Sequence, residues 1–303
     1  MSFKARDYLA PQFWPTWLGF AFFWLLTRLP YSQVMRIGRG LGWVMYRGFA
    51  SRRRVTLTNL RLAFPELSDS EREALARESF SHLGMAVGET AWTWYRSIKH
   101  MSPATITGKE HVDAALASGR GVILLQAHFT VLEMCAAVVG SHWPIRAVYD
   151  SPKNPLFAAN LLKHRSRHIE GMIDNKGIRE MVRLLKRGQI VWYSPDQSVK
   201  ATHGGIETLY FNQPVLTTSG TARIVRMTNA TIIPFIPERK PDGSGYVFAF
   251  QPPLELDTRD LTRATQQVND FLEAQVRTQP EQYLWLHKRF KPPTPAHDNP
   301  YRR

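Results

Sequence analysis

The sequence predicts an α/β fold whose mostly parallel sheet is flanked by helices. Between residues 121 and 251, short apolar segments of strand length alternate with segments of helical length. The strand segments are apolar on both faces, which is typical of a parallel sheet that helices cover on both sides. No fixed-period repeat or low-complexity linker interrupts the pattern. These observations favour one globular domain.

The individual elements follow from local sequence signals. Residues up to about 100 have a helical pattern, in which Ser68 followed by Glu71 is a capping-box signature. The predicted strands are 121–126, 145–149, 190–194, 208–211, 231–236 and 246–251. The predicted helices of the second part are 131–139, 155–164, 176–187, 217–227 and 260–277. Pro103 and Gly108 separate the two parts of the chain.

The positive charge of the chain is concentrated at its two ends. The 303 residues include 39 Lys and Arg and 25 Asp and Glu, which gives a net charge of +14. Residues 1–61 carry ten bases and one acid, and residues 285–303 carry five bases and one acid. The remaining 24 bases and 23 acids give the body a net charge of only +1. Basic ends on a neutral body indicate an anionic membrane surface rather than nucleic acid as the partner.

The amino-terminal segment has the composition of a membrane anchor. Residues 13–26 read FWPTWLGFAFFWLL and carry no charge. A transmembrane helix needs roughly 20 apolar residues, so this run is short for a span, while its Trp and Phe residues suit the headgroup boundary. No small-residue cleavage site follows Leu26, which disfavours a signal peptide. We therefore expect residues 1–30 to form a membrane-anchoring helix ahead of a domain over 31–303; a buried core helix is the alternative.

The candidate catalytic residues lie after the first buried strand. His128 follows that strand directly, and ligands of open α/β sheets bind at the carboxyl ends of strands. If Glu133 begins the next helix, its carboxylate can hold one ring nitrogen of His128 and leave the other as a general base. Such a pair suits deprotonation of an alcohol that attacks an acyl carbonyl. A lone histidine at a strand end also fits a structural role.

Several other kinds of site are disfavoured. The chain has no G-x-S-x-G elbow for a serine nucleophile. Around His128 there is also no H-x3-H pair of histidines on a helix, and the single cysteine of the chain, Cys135, lies in an apolar run. We therefore expect neither a metal site nor a cofactor.

Five sequence blocks, in this order, resemble the lipid A biosynthesis lauroyl acyltransferases. The blocks are NLRLAFPELSDSERE, GVILLQAHFTVLE, VWYSPDQ, ATIIPFIPERKPDGSGY and PEQYLWLHKRF. This family belongs to the lysophospholipid acyltransferase-like superfamily, and the resemblance runs from about Trp17 to Phe290. It implies a glycerolphosphate-acyltransferase-like αβα sandwich, so that residues 31–303 would be the acyltransferase domain. Ala127 stands where the lauroyl branch often has a second histidine, so the acyl-chain length is not inherited.

The resemblance implies a bacterial inner-membrane enzyme whose catalytic domain faces the cytoplasm. It would move a fatty acyl chain from acyl carrier protein to the 3-hydroxyl of an acyl chain on a Kdo-bearing lipid A precursor. By the family pattern, His128 would be the general base and Glu133 its partner. Arg165 and Asp196 fall where the family carries two further site residues, for substrate binding or transition-state stabilisation.

Two alternative functions remain open at this point. The same chemistry would serve an acyltransferase for a glycerophospholipid or a mannoside lipid. A non-catalytic peripheral membrane or nucleic-acid-binding protein would rely on its basic ends alone. For the acidic carrier protein, the sequence offers two candidate basic patches. They are Arg183, Lys186 and Arg187, and Lys288, Arg289 and Lys291.

Overall fold

The computed structural model describes residues 4–241, 243–294 and 298–302. Its helices are α1 Trp14–Leu26, α2 Tyr31–Gly48, α3 Ala50–Ala63, α4 Asp69–Tyr95, α5 Lys109–Ala117, α6 Leu132–Val139, α7 Pro155–Arg165, α8 Ile178–Leu185, α9 Gly220–Thr228 and α10 Leu261–Thr278. Its strands are β1 Ala104–Thr107, β2 Val122–Leu125, β3 Ile145–Tyr149, β4 Gly171–Asp174, β5 Ile190–Tyr193, β6 Gly205–Tyr210, β7 Gln213–Thr218, β8 Thr231–Arg239 and β9 Tyr246–Phe250.

A seven-stranded sheet forms the centre of the molecule. Its strand order is β1-β9-β8-β2-β5-β3-β4. Every neighbouring pair is parallel except β8 and β9, which are antiparallel. Buried apolar clusters lie against this sheet, between it and the flanking helices. The predicted α/β fold with a mostly parallel sheet is therefore confirmed.

Four strands differ from the sequence-based expectation. The strands β1, β4 and β7 were not predicted, because none is a continuous apolar run: β1 is exposed or half-buried, β4 has only Ile173 buried, and β7 alternates buried and half-buried residues. The predicted strand at 208–211 exists as part of β6, but β6 pairs with β7 in a separate two-stranded hairpin. Burial on one face only explains why these strands lack the signal of the central ones.

Register places the ends of the central strands side by side. β2 is fully buried, and it pairs with β5 on one side and β8 on the other. Leu125, the last residue of β2, pairs with Tyr193, the last residue of β5. The loops that follow these two strands therefore leave the same edge of the sheet as neighbours. This carboxyl edge carries the candidate site.

The long helix α4 organises the amino-terminal part. Its capping box is formed as predicted, since the Ser68 hydroxyl accepts from the Glu71 N–H and the Glu71 carboxylate accepts from the Ser68 N–H. Helix α2 packs along α4 at glycines. A Cβ added at Gly42 would lie 2.2 Å from the Phe80 carbonyl oxygen, and one added at Gly84 would lie 2.1 Å from the Gly38 carbonyl oxygen. The two backbones are therefore in close contact.

The apolar segment near the amino end forms α1, a helix of 13 residues. Phe20 and Leu26 are buried, and Phe20 packs against Trp94 of α4. The opposite positions are exposed, with Leu18 at 71% and Trp14 at 59%. Among the described residues, no helix combines the length and the apolarity that crossing a bilayer requires. The structure therefore gives no support for the predicted membrane-anchoring helix.

Candidate active site

His128 and Asp196 meet at the carboxyl edge of the sheet. His128 lies three residues after Leu125, and Asp196 lies three residues after Tyr193, the residue that pairs with Leu125. Equal offsets from paired strand ends bring the two side chains together. The Asp196 carboxylate lies 2.5 Å from Nδ1 of His128 and accepts a second bond, of 2.9 Å, from the His128 backbone N–H. The histidine is therefore held at both its ring and its backbone.

The chemistry of the pair fixes which ring nitrogen carries the proton. An ionised carboxylate only accepts hydrogen bonds, so Nδ1 of His128 is the donor and Nε2 has the free lone pair. Among the residues that the structure describes, none forms a hydrogen bond with this Nε2. The His128 side chain is 22% exposed, whereas the Asp196 side chain is 1% exposed. Nε2 is the nitrogen available to a substrate.

Burial and pairing act in opposite directions on both groups. Burial alone would raise the pKa of Asp196, but the His128 charge and the bonds from His128 and Tyr283 lower this pKa to about 2. Burial alone would lower the pKa of His128, but the Asp196 charge and hydrogen bond raise it above its usual value. Asp196 therefore stays ionised, and His128 becomes a stronger base than an isolated imidazole.

Tyr283 is a site residue that sequence reasoning missed. Its hydroxyl donates to Asp196 over 2.9 Å. The backbone next to Tyr283 pairs with the loop that carries His128. The Leu284 N–H donates to the His128 carbonyl, and Phe129 and Tyr283 form an isolated antiparallel β-bridge. The only sequence signal was its place in the block PEQYLWLHKRF. This late segment fixes the loop that carries His128.

Among the described residues, no hydrogen bond joins Glu133 to the His128 ring, whose Nδ1 bonds Asp196 instead, so the catalytic role of Glu133 stays a prediction. Glu133 lies in the first turn of α6 and accepts from Arg165, with Nε at 2.9 Å and a shorter bond from Nη2. A guanidinium is a stronger partner for a carboxylate than a neutral imidazole. Asp196 meanwhile occupies Nδ1 because β5 is the direct neighbour of β2. The structure thus forms two pairs, His128–Asp196 and Arg165–Glu133.

Both pairs stand beside one large cleft. The cleft has a volume of about 970 Å³, and His128 and Arg165 line it. Much of the remaining lining is apolar and comes from several elements. These residues include Leu132, Ala136, Ala147, Leu161, Ile169, Met181, Trp192 and Ile224. A cleft of this size, with a few polar groups in an apolar wall, suits a ligand with a long hydrocarbon part.

The two candidate basic patches do not form at the cleft. Arg289 is buried at 2% exposure and donates to the Leu216 carbonyl and the Thr217 hydroxyl beneath the hairpin. Arg183, Lys186 and Arg187 are exposed, but they lie towards the end of α8, just before β5 begins. The start of β5 is at the opposite edge of the sheet from His128. Lys176, by contrast, is exposed and lines the cleft.

The fold and the site define a class of α/β protein in which a histidine, paired with a buried carboxylate, lines an apolar cleft. The family model of bacterial lipid A biosynthesis acyltransferases matches residues 1–292. The chain belongs to this family and is an acyltransferase of lipid A biosynthesis.

Three similar proteins come from Escherichia coli K12. The lipid A biosynthesis lauroyltransferase is 36% identical over 287 residues, covering 93% of each chain. The palmitoleoyltransferase is 33% identical over 289 residues, covering 95% of this chain and 94% of the relative. The myristoyltransferase is 28% identical over 312 residues, covering 98% and 93%. These relatives are named for three different acyl chains, so their names do not agree on a chain length.

Proposed function

We propose that this protein transfers a fatty acyl chain from acyl carrier protein to the 3-hydroxyl of an acyl chain on a Kdo-bearing lipid A precursor. One observation carries the mechanism. His128 is held through Nδ1 by a buried carboxylate, and its ring lines an apolar cleft. This arrangement is that of a general base for an alcohol whose neighbours are hydrocarbon.

The reaction needs one proton acceptor that later becomes a proton donor. Nε2 of His128 removes the proton of the acceptor hydroxyl while the hydroxyl oxygen attacks the thioester carbonyl carbon. A carbon–oxygen bond forms, and the carbonyl oxygen becomes an oxyanion. When the oxyanion collapses, the carbon–sulfur bond breaks, and the thiolate takes the proton from Nε2. Asp196 stays ionised throughout and stabilises the imidazolium that forms between the two steps.

Arg165 supplies positive charge at the cleft wall. Its guanidinium is fixed by Glu133 and can stabilise the oxyanion or bind a phosphate of the acceptor. Glu133 thus acts through Arg165 as a positioning residue, instead of through His128 as the sequence pattern predicted.

We also propose that residues 1–30 and the exposed face of α2 lie in the plane of the inner membrane on its cytoplasmic side, with residues 31–303 as the catalytic domain. Large apolar side chains are exposed on both helices, including Leu18 of α1 and Trp43 of α2. Arginines stack on two of the exposed indoles, Arg28 on Trp24 at 4.0 Å and Arg47 on Trp43 at 5.1 Å. Aromatic and basic groups in this arrangement bind anionic headgroups without crossing the bilayer.

The transfer reaction tests the catalytic proposal directly. Purified protein, acyl carrier protein loaded with C12, C14 or C16 chains, and Kdo-bearing precursor should give an acylated product by mass spectrometry. The activity of His128→Ala should be about 10²–10⁴-fold lower, because a general base contributes about that factor. His142→Ala, at an exposed histidine away from the cleft, is the control. Equal transfer to a glycerophospholipid or mannoside acceptor, or near-full activity of His128→Ala, would contradict the proposal.

The membrane proposal has its own measurement. Trp14→Ser combined with Leu18→Ser should weaken co-sedimentation with vesicles containing phosphatidylglycerol by about 10-fold or more, because each large side chain contributes roughly 1.5–3 kcal/mol when it is fully buried. Leu209→Ser is the control, since Leu209 is also an exposed leucine but lies on the β6–β7 hairpin. If both variants bind vesicles like the wild-type protein, α1 does not contact the membrane.

A further inference from the structure

A second cavity lies where α2, α4 and the end of β8 meet. Its volume is about 480 Å³. Its lining includes Arg36 and Arg39 from α2, Glu78 and His82 from α4, and Arg239 and Lys240 from the end of β8. None of these residues takes part in the proposed chemistry. We call this cavity the basic pocket.

The floor of the basic pocket is a buried and fully paired charge network. The Arg239 guanidinium donates two bonds of 2.8 Å to the Glu89 carboxylate and a third bond to Nδ1 of His82. Tyr246 donates to the same carboxylate over 2.6 Å. Burial, followed by the charges of Arg239 and Arg39, lowers the pKa of His82 to about 3, so this histidine is neutral. The floor therefore contributes a fixed shape and no net charge.

The walls of the basic pocket carry the excess positive charge. Arg36, Arg39 and Lys240 form no ion pair among the described residues. Two carboxylates, Glu78 and Glu281, also line the cavity. Three unpaired cations against two acids leave a net positive wall. A multivalent anion would satisfy the cations, whereas a neutral ligand would not.

The backbone under these arginines is fixed. Arg36 and Arg39 are three residues apart, so they project from neighbouring turns of the same side of α2. Gly38 lies between them and contacts α4, since a Cβ at this position would be 2.8 Å from the Gly84 carbonyl oxygen. The close packing of α2 on α4 therefore holds both guanidinium stems against the pocket.

One short segment borders both the basic pocket and the catalytic site. The Gln282 side chain bonds both the N–H and the carbonyl of Arg239, at 2.8 and 2.9 Å. The next residue, Tyr283, donates to Asp196. Arg239 lies five residues beyond Pro234, which pairs with Leu125 at the end of β2. At about 3.3 Å per residue, Arg239 lies roughly 16 Å along β8 beyond the level at which β2 ends, a distance that one large lipid can span.

We propose that the basic pocket binds the anionic sugar head group of the acceptor lipid, through a phosphate held by Arg36, Arg39 and Lys240. The acceptor then extends from this pocket to His128 and presents its own hydroxyl to Nε2 of that histidine. The inference rests on the proposed function, because it takes the acceptor to be a phosphorylated glycolipid. It adds the place where that acceptor is recognised.

Binding separates this inference from the catalytic one. Acceptor affinity is measured in detergent micelles with the full-length His128→Ala protein, which binds without turnover. Adding Arg36→Ala and Arg39→Ala should weaken binding of the phosphorylated acceptor at least 10-fold. The same acceptor without its phosphates should bind equally to both proteins. Arg120→Ala with Arg259→Ala is the charge-matched control, because both arginines are exposed and lie outside both cavities.

Steady-state kinetics provide a second test of the basic pocket. In the otherwise wild-type enzyme, the double variant should raise KM for the acceptor about 10-fold with little change in kcat, as expected for loss of a group that binds substrate and transition state equally. Unchanged affinity for the phosphorylated acceptor would overturn the inference. A loss confined to binding of phosphatidylglycerol vesicles would also overturn it and assign the pocket to a membrane phospholipid. Absence of transfer by the wild-type enzyme would contradict the proposed function alone, since the binding arm needs no turnover.

Discussion

Two charged pairs stand beside the same cleft, and they differ in what their cations can do. In the first pair, Asp196 is buried and holds an imidazole that has a second, free nitrogen. In the second pair, Glu133 holds Arg165, whose guanidinium has only hydrogen-bond donors and no nitrogen that accepts a proton. The first pair can move a proton, and the second can only hold charge in place.

The difference follows from where each pair lies in the fold. His128 and Asp196 are on loops that leave neighbouring parallel strands, so the sheet register sets their separation. Glu133 is in the first turn of α6 and Arg165 is the last residue of α7. A carboxylate at the start of a helix and a guanidinium at the end of one are each stabilised by the helix dipole. The second pair is therefore stable without any substrate.

Of the two substitutions that test this comparison, Asp196→Asn and Glu133→Gln, the first should reduce activity more. An amide can donate to Nδ1 and so place the ring proton on Nε2, which removes the base. We expect kcat to fall by about 10²–10⁴-fold. The acid limb of kcat/KM should also move, because the Asp196 carboxylate is what raises the pKa of His128. It should lie above pH 6.5 in the wild-type enzyme and at lower pH in the variant.

A matched control exists for this substitution. Asp113 accepts a 2.8 Å hydrogen bond from the Trp143 indole, away from the cleft. Asp113→Asn should leave both kcat and the pH profile unchanged. If Asp196→Asn kept the wild-type acid limb, another group would be setting the basicity of His128.

The fold and part of the site were predictable because their signals are local. β2 and β5 are continuous apolar runs, and His128 and Asp196 each follow one of them. What the sequence does not contain is the order of the strands in the sheet. β2 and β5 are separated by two helix-and-strand units along the chain, yet they are direct neighbours. Without that order, Glu133 was the nearest carboxylate in sequence and was assigned to the histidine.

Long-range contacts also explain why the sequence did not indicate Tyr283 as a site residue and why it suggested Arg289 for a basic surface patch. Tyr283 reaches Asp196 across 87 positions of the chain, and Arg289 reaches Leu216 across 73. No periodicity or motif spacing reports a contact of this range. The amino-terminal segment shows the converse limit, since a short apolar run fits both a core helix and an anchor. In the structure α1 has a buried position at Phe20 and an exposed one at Leu18.

Glu133→Gln should reduce activity less than Asp196→Asn. It separates two roles for the carboxylate, which are to fix Arg165 and to bond the His128 ring. Gln keeps the shape of the side chain but loses the charge that fixes Arg165. We expect kcat/KM to fall about 10-fold, on the scale of one charge-assisted hydrogen bond. The acid limb should stay where it is in the wild-type enzyme, because Asp196 and not Glu133 is the charged group that raises the pKa of His128. Glu170→Gln is the control, since Glu170 pairs with Arg146 over 2.9 Å outside the cleft.

A double-mutant cycle makes this result decisive. If Glu133 acts through Arg165, then Glu133→Gln should cost little once Arg165→Gln is present, with a coupling of about 0.5–3 kcal/mol between the two sites. If Glu133 instead engaged His128 during turnover, its effect would persist in the Arg165→Gln background. The acid limb of Glu133→Gln would then shift to lower pH, as expected for Asp196→Asn. That outcome would restore the pairing that the spacing of His128 and Glu133 predicts.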